Sequence, residues 1–365
     1  MGFFSNLFGS KTPKKNRIID EIQLEACYYP PFGEGSFSLM EWSTFLKAAE
    51  HFENVKRINF SGWGNPFHHP QFAEMLKKAR ENCSLVTISC KAQKFSPETA
   101  RMLVDLGIEQ ITLTLDPADK DFNYVGDYVE SIIKIRKDTP KIVIDFPMTT
   151  TSISCLPQFI GMAKQFQIDE ITASNVKFLL TEELNQQKVF SGKVSDENRG
   201  DLLKQGKAKG PEEYEILVAE AEKNANRHGI YFSAKPLVAN ESVMCEMSPL
   251  KNCYINWKGE LAPCQLLSLE KGSIYFNESQ YELVPYQVGN VNSLGIPELW
   301  NDEKYGSFRN IYKRRVDIFN KYMAETFEDE PNAKLIYNNY EKLEKQLAEE
   351  KVPPMCSICY KAYSI

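Results

Sequence analysis

No hydrophobic run in this 365-residue chain is long enough to cross a membrane; the apolar start, Met1 to Gly9, falls well short of the roughly 20 residues a spanning helix needs. Basic residues follow that stretch at Lys11, Lys14 and Lys15, the reverse of a secretory leader, and Asn6 stands where a myristoylation signal wants Ser or Thr. Residues 1–17 therefore read as a weakly docked leader, and no integral membrane segment is expected. Charge of one sign is also scarce. The 43 Lys and Arg against 49 Asp and Glu leave a net charge of −6, which gives no reason to expect nucleic acid as a partner. There is no internal repeat or low-complexity tract. The cysteine count, nine, is odd, and no export signal accompanies it. Metal ligands and free thiols in a reducing cytoplasm fit better than a disulfide framework.

What is present describes a soluble globular protein: 42% hydrophobic and 25% charged residues, on a chain long enough for one large core and a smaller second domain. From residue 18 short apolar runs (18–24, 55–60, 85–90, 110–115, 142–146, 170–176) alternate with amphipathic stretches (40–51, 71–81, 97–106, 124–137, 156–165). Ser96 before Pro97 is a helix start, with Ser as N-cap and Pro at the first position. Strands alternating with helices imply a parallel sheet with right-handed crossovers. Six such units predict an α/β fold, a partial (β/α)6 TIM-like barrel whose active face lies at the strand C-termini. The alternation pauses over the polar segment 181–211, read as an inserted loop. A helix over 212–228 and a short strand near 230–234 follow. At residue 235 the pattern changes to cysteines, turns and short strands, so 18–235 is assigned to the barrel and 236–365 to a second domain. Past Trp300 a charged segment runs to 351 with the Lys/Glu spacing of a solvated helix face.

The second domain carries the chemistry. Cys245, Cys264 and the pair in Cys356-Ser357-Ile358-Cys359 can converge on one centre, with Cys264 delivered by a hairpin turn at Asn256-Trp257-Lys258-Gly259 and the strand after it. Four thiolates suit an iron–sulfur cluster or a structural zinc, and spacing does not separate the two. A lone C-x-x-C is as often a pair of buried thiols; with Cys245 and Cys264 added, metal is favoured.

These cysteines, with Tyr254, Gly289-Asn290-Val291, Glu298-Leu299-Trp300, Tyr305 and Phe308-Arg309 in the same order, resemble the SPASM domain of maturases in the radical S-adenosylmethionine superfamily. The likeness is in particular to maturases associated with tungsten-containing oxidoreductases. It implies a small α+β metal-binding domain in which Cys245, Cys264, Cys356 and Cys359 hold one auxiliary 4Fe–4S cluster. Cys253 falls off the matching positions, as a spare thiol or a substitute ligand. No cysteine lies in 301–355, so a second auxiliary cluster is not expected.

The first domain resembles the barrel of the same superfamily with its cofactor chemistry removed. The family holds a cluster on a C-x-x-x-C-x-x-C loop after the first strand; here 26–36 contains one cysteine, Cys27. Gly62-Trp63-Gly64-Asn65-Pro66 is similar to the family's Gly-x-Gly-Glu-Pro, with the amide of Asn65 where a carboxylate receives the cosubstrate's ammonium. Cys90-Lys91-Ala92 replaces Thr-Asn-Gly, while Thr114-Leu115-Asp116 is similar to a Ser-x-Asp near the ribose. The resemblance thus leaves Gly62, Gly64, Asn65 and Asp116 as remnants of a S-adenosylmethionine pocket and assigns no catalytic residue. Three readings follow. The first is a non-catalytic iron–sulfur binding or maturation partner for a protein or peptide, either an active maturase or its target. The second is a working radical maturase whose cluster is rebuilt. The third is a zinc-stabilised binding scaffold.

Blander readings apply elsewhere. His68 and His69 are adjacent and point apart; Cys83, Cys90 and Cys155 are expected as small buried residues. Asp116 serves equally well as an N-cap before Pro117. Tyr28, Tyr29, Phe32, Phe37, Trp42 and Trp63 either fill the volume of the absent cluster or form a peptide groove, with filling preferred.

Overall fold

The computed structural model of the protein describes residues 19–32, 36–119, 121–191, 210–327 and 333–365, so the leader and residues 192–209 of the inserted loop lie outside the described residues. In chain order the strands are β1 Ile19–Leu24, β2 Cys27–Tyr28, β3 Ser38–Leu39, β4 Val55–Phe60, β5 Leu85–Lys91, β6 Gln110–Thr114 and β7 Lys141–Met148. They continue with β8 Glu170–Asn175, β9 Tyr231–Ala234, β10 Asn252–Ile255, β11 Glu260–Ala262, β12 Ser273–Phe276, β13 Ser279–Glu282 and β14 Gly289–Asn290.

One ten-stranded sheet dominates, in the order β14-β11-β10-β1-β4-β5-β6-β7-β8-β9. From β1 to β9 every pairing is parallel, with Ile22 opposite Ile58, Ile88 opposite Ile111 and Ile144 opposite Ile171. These strands alternate: one face is apolar and buried, while the other carries polar residues such as Glu21, Gln23, Arg57, Asn59, Thr112 and Thr114. Ile22, Leu24, Ile58, Phe60, Val86, Ile88, Ile111, Leu113, Ile144, Phe146 and Ile171 are all buried. Helices Trp42–Ala49, Phe72–Asn82, Pro97–Asp105, Tyr124–Ile133, Leu156–Ala163 and Glu212–His228 form the outer layer. Ser96 Oγ accepts the Thr99 N–H at 3.2 Å with Pro97 behind it, the start expected from the sequence. The two ends of the sheet do not meet, so the parallel strands form an open, partial barrel. Within the 181–211 segment a short helix, Glu182–Gln186, is capped by Thr181, and Ser191 bridges to Val238.

The C-terminal residues continue the barrel's own sheet. β10 pairs parallel with β1, Leu24 opposite Ile255, and β11 returns antiparallel. The turn between β10 and β11 follows from its residues. Asn256 Oδ1 accepts N–H groups from Lys258 (3.0 Å) and Glu260 (2.9 Å), and Gly259 sits at φ +85°. A side chain at 259 would also run into Thr44 and Val291, at 2.7 and 2.9 Å from its Cβ. The charged stretch after Trp300 forms two helices, Glu303–Phe327 and Ala333–Glu349. They are tied to the loop before Cys245 by Arg315, which has no exposed surface. Its guanidinium donates to the carbonyls of Ser242, Val243, Leu347 and Glu350 and pairs with Glu241 at 2.8 Å.

Candidate functional site

The four cysteines come from three separate segments and line one cavity. Cys245 follows the Arg315-bound loop, Cys264 leaves β11, and Cys356 and Cys359 flank a tight turn near the C-terminus. With Phe178, Met247, Leu266, Met355 and Lys361 among the other lining residues, the cavity measures about 20 Å³. Burial pushes all four thiols up, Cys359 to about 12, and Cys245, Cys356 and Cys359 rise further through the neighbouring sulfurs. Against this, donors are aimed at every sulfur. The Met247 N–H donates to Cys245 Sγ at 3.3 Å. Leu266 and Leu267 N–H groups lower Cys264, and the Lys361 N–H lowers Cys359. The Tyr312 hydroxyl, buried without a partner at full hydrogen-bonding geometry, lies beside Cys356 and lowers it too. N–H and O–H donors at sulfur stabilise thiolate, the form that binds metal, and tune clusters. Among the described residues no three His, Cys, Asp or Glu side chains stand tightly enough for one ion. What the four sulfurs share is the wall of a cavity. Its chemistry, soft donors in an apolar enclosure, fits a metal–sulfur group. Cys253 is buried on β10 opposite Ile22 and is not among the lining residues.

The barrel's C-terminal mouth faces this cavity. Gly62 and Gly64 permit a close approach of chain to chain: a Cβ at 62 would lie 2.5 Å from Glu25 Oε1, and one at 64 would lie 2.5 Å from the Cys27 carbonyl oxygen. Gly64 N–H donates to that same carbonyl at 3.1 Å. Asn65 caps a short helix through Phe67 N–H (3.1 Å) and donates to Gln93 Oε1 (2.8 Å). Asp116 pairs with Lys91 Nζ at 2.6 Å and accepts the Ala118 N–H, contacts that hold its carboxyl below the usual range. Cys27 is buried, and desolvation with Glu25 beside it pushes its thiol up to about 12. It is neither a ready nucleophile nor a ready ligand.

The remaining expectations divide. His69 is buried between Met40 O and Gln71 N–H, while His68 turns outward against Phe37. Cys83 and Cys90 are buried, but Cys155 is half-exposed at a helix start rather than buried. Trp63 packs on Phe178, and Tyr28 stacks on Trp257, at the mouth; Tyr29 and Phe37 face solvent instead.

Sequence reasoning missed Glu25 and Lys177. Glu25 directly follows β1 and is buried, and Lys177 lies two residues past β8 with part of its surface exposed; both stand at the strand C-termini where site residues collect. Glu25 Oε1 accepts the Trp63 N–H at 2.7 Å and Oε2 the Trp257 N–H at 3.4 Å, yet burial lifts its pKa from 4.5 to about 7. Lys177 donates to Gln265 Oε1 at 2.5 Å, and desolvation of its amine, on a residue whose stem is exposed, lowers it to about 8. Folded Glu25 therefore keeps its proton up to about pH 7, whereas the unfolded chain releases it near 4.5. Between those values the folded state binds more protons, so this residue's contribution to stability falls as pH rises, by up to about 3 kcal/mol. Glu25→Gln should flatten the fall of Tm between pH 5 and 7; equal slopes in variant and wild type would exclude Glu25 as the group.

Comparison with known proteins places these features. Residues 245–360 match the family model described as SPASM, an iron–sulfur cluster-binding domain. The chain carries a SPASM domain. It is also similar to the tungsten-containing aldehyde ferredoxin oxidoreductase cofactor-modifying protein of Pyrococcus furiosus, 24% identical over 292 residues, covering 75% of this chain and 76% of that one. Among solved structures, SuiB of Streptococcus suis bound to S-adenosylmethionine aligns over 81% of this chain and 68% of its own at a TM-score of 0.52 and 13% identity. That likeness shows the fold: an open parallel barrel followed by the SPASM domain. The cysteines that line the cavity fall within the matched segment.

Proposed function

We propose that this protein is an iron–sulfur partner in maturation, built on a radical S-adenosylmethionine fold but not cleaving that cosubstrate. The observation that carries the reading is a contrast. Cys245, Cys264, Cys356 and Cys359 share one enclosed cavity with a donor at each sulfur, whereas the loop after β1 offers the single thiol of Cys27. Residues in the remnant pocket already spend their polar atoms on each other: Asn65 on Gln93 and Phe67, Asp116 on Lys91 and Ala118. One thiol does not fit a site-differentiated cluster in the barrel. In the SPASM cavity the four cysteines would hold a 4Fe–4S cluster. Such a cluster supplies one-electron chemistry and a cross-link among three chain segments when bound. The partner is a protein or peptide, either a maturase or the enzyme it serves.

A second reading, an active maturase, draws on the similar protein's description as cofactor-modifying. A third, zinc for folding alone, uses the same four thiolates. Iron, sulfide and zinc per chain on anaerobically purified protein separate them. About four irons and four sulfides, without 5′-deoxyadenosine on reduction with S-adenosylmethionine, is the expected result. About eight irons with cleavage would establish the second reading, and one zinc the third. Asn65→Glu alone should leave S-adenosylmethionine binding undetectable by calorimetry, because a carboxylate does not replace the missing thiols. Measurable binding in that variant would overturn the loss of the pocket.

A further inference from the structure

Between the barrel mouth and the SPASM hairpin lies a second cleft of about 470 Å³, separate from the thiol cavity. Glu25 forms its floor. Tyr28, Phe32 and Trp257 form an aromatic wall, with Tyr28 and Trp257 stacked at 6.1 Å and 24° across the two domains. Lys258, Glu270 and Lys271 stand at the rim. The floor carries the argument. Glu25 is 1% exposed, and among the described residues no cation is in ion-pair contact with it. Lys258, the rim cation nearest in sequence to Trp257, is turned away onto Glu270 and the Trp257 face. Lys177 acts on Glu25 from a distance, its amine held by Gln265.

A carboxylate taken out of water without a cation is costly unless a proton or a positive ligand joins it. Its four lone-pair positions are met here by two backbone N–H groups and approached by the buried Tyr254 hydroxyl, which leaves room for a further donor. We propose that this cleft binds a primary alkylammonium group, its nitrogen on Glu25 and its carbon chain against Tyr28, Phe32 and Trp257. An N–H-bearing cation meets the free lone pairs, which a quaternary ammonium cannot, and the ring faces attract positive charge. A free amine and a lysine side chain present the same chemistry. The inference is independent of the metal and of cosubstrate cleavage.

The test titrates the intact protein by calorimetry with n-butylammonium, with Nα-acetyl-lysine methylamide, and with n-butyrate as an anion of matched size. Saturable binding of both cations assigns the site to the ammonium alone; binding of the lysine derivative only assigns it to a peptide. Either result supports the proposal, and binding of neither overturns it. Butyrate binding as tight as the amine would also overturn it, with no variant needed. Glu25→Gln, with its fold checked by near-ultraviolet circular dichroism, should weaken amine binding at least tenfold. Trp257→Leu provides a second variant on the wall and should weaken it several-fold. Unchanged affinity in both variants would remove the cleft from consideration.

Discussion

Replacing Cys264 or Cys359 by alanine is expected to strip the metal from the protein and to melt its C-terminal third. The cavity they line is bounded by three segments distant in sequence, and few regular elements bridge them: β11, a short turn and the C-terminal loop. A metal–thiolate centre on these cysteines would add to the packing there, because binding free energy that exists only in the folded state is folding free energy. Losing one ligand of four should cost several kcal/mol, of order the share one thiolate holds in a structural metal site. Metal content falls in parallel. Cys253→Ala is the control: buried on β10, it should lose only a modest packing contribution and keep its metal. Metal analysis and thermal unfolding of the three variants decide the matter. Equal metal content and equal stability in Cys264→Ala and wild type would sink the assignment.

Arg315→Ala should destabilise the protein by about 3–5 kcal/mol, the usual cost of breaking a buried ion pair from one side. The substitution leaves Glu241 without its cation and frees carbonyls at Ser242, Val243, Leu347 and Glu350 in the interior. The damage should travel. Tyr312, one turn earlier on the same helix, lies beside Cys356, and Val243 is two residues from Cys245. Loss of Arg315 is therefore expected to lower metal retention as well as the urea midpoint. Arg315→Lys keeps the charge but not the planar fork, so it should recover only part of both. A urea midpoint within error of wild type would show that the network is incidental.

Much of the barrel was legible because its strands are short apolar runs closed by helix-start signals. The run expected over 55–60 is β4, and the helix expected over 212–228 is Glu212–His228. The union of β10 with β1 was not legible. Four residues, Asn252–Ile255, carry no mark of which edge they will join 230 residues upstream. The cysteine set could be read from residue type alone, since sulfur chemistry is scarce and specific. Glu25, Lys177 and Arg315 could not. A charged side chain looks like surface in a sequence, and only burial turns Glu25 into a proton store and Arg315 into a clamp. Asp116 was legible as a cap or a ligand; it accepts the Ala118 N–H in a turn that no helix directly follows among the described residues, and it pairs with Lys91.

The joining of β10 to β1 bears on how the chain must be made. Ile19–Leu24 is synthesised first but waits for Asn252–Ile255 to cover its outer flank. Until then a row of unpaired backbone groups beside Ile22 and Leu24 is open to any passing strand, a recognised route to aggregation. A fragment ending at residue 235 would keep that exposed margin permanently and should associate with itself. Truncation would thus turn the barrel into its own precipitant, and the C-terminal domain acts as a built-in shield for the strand made first.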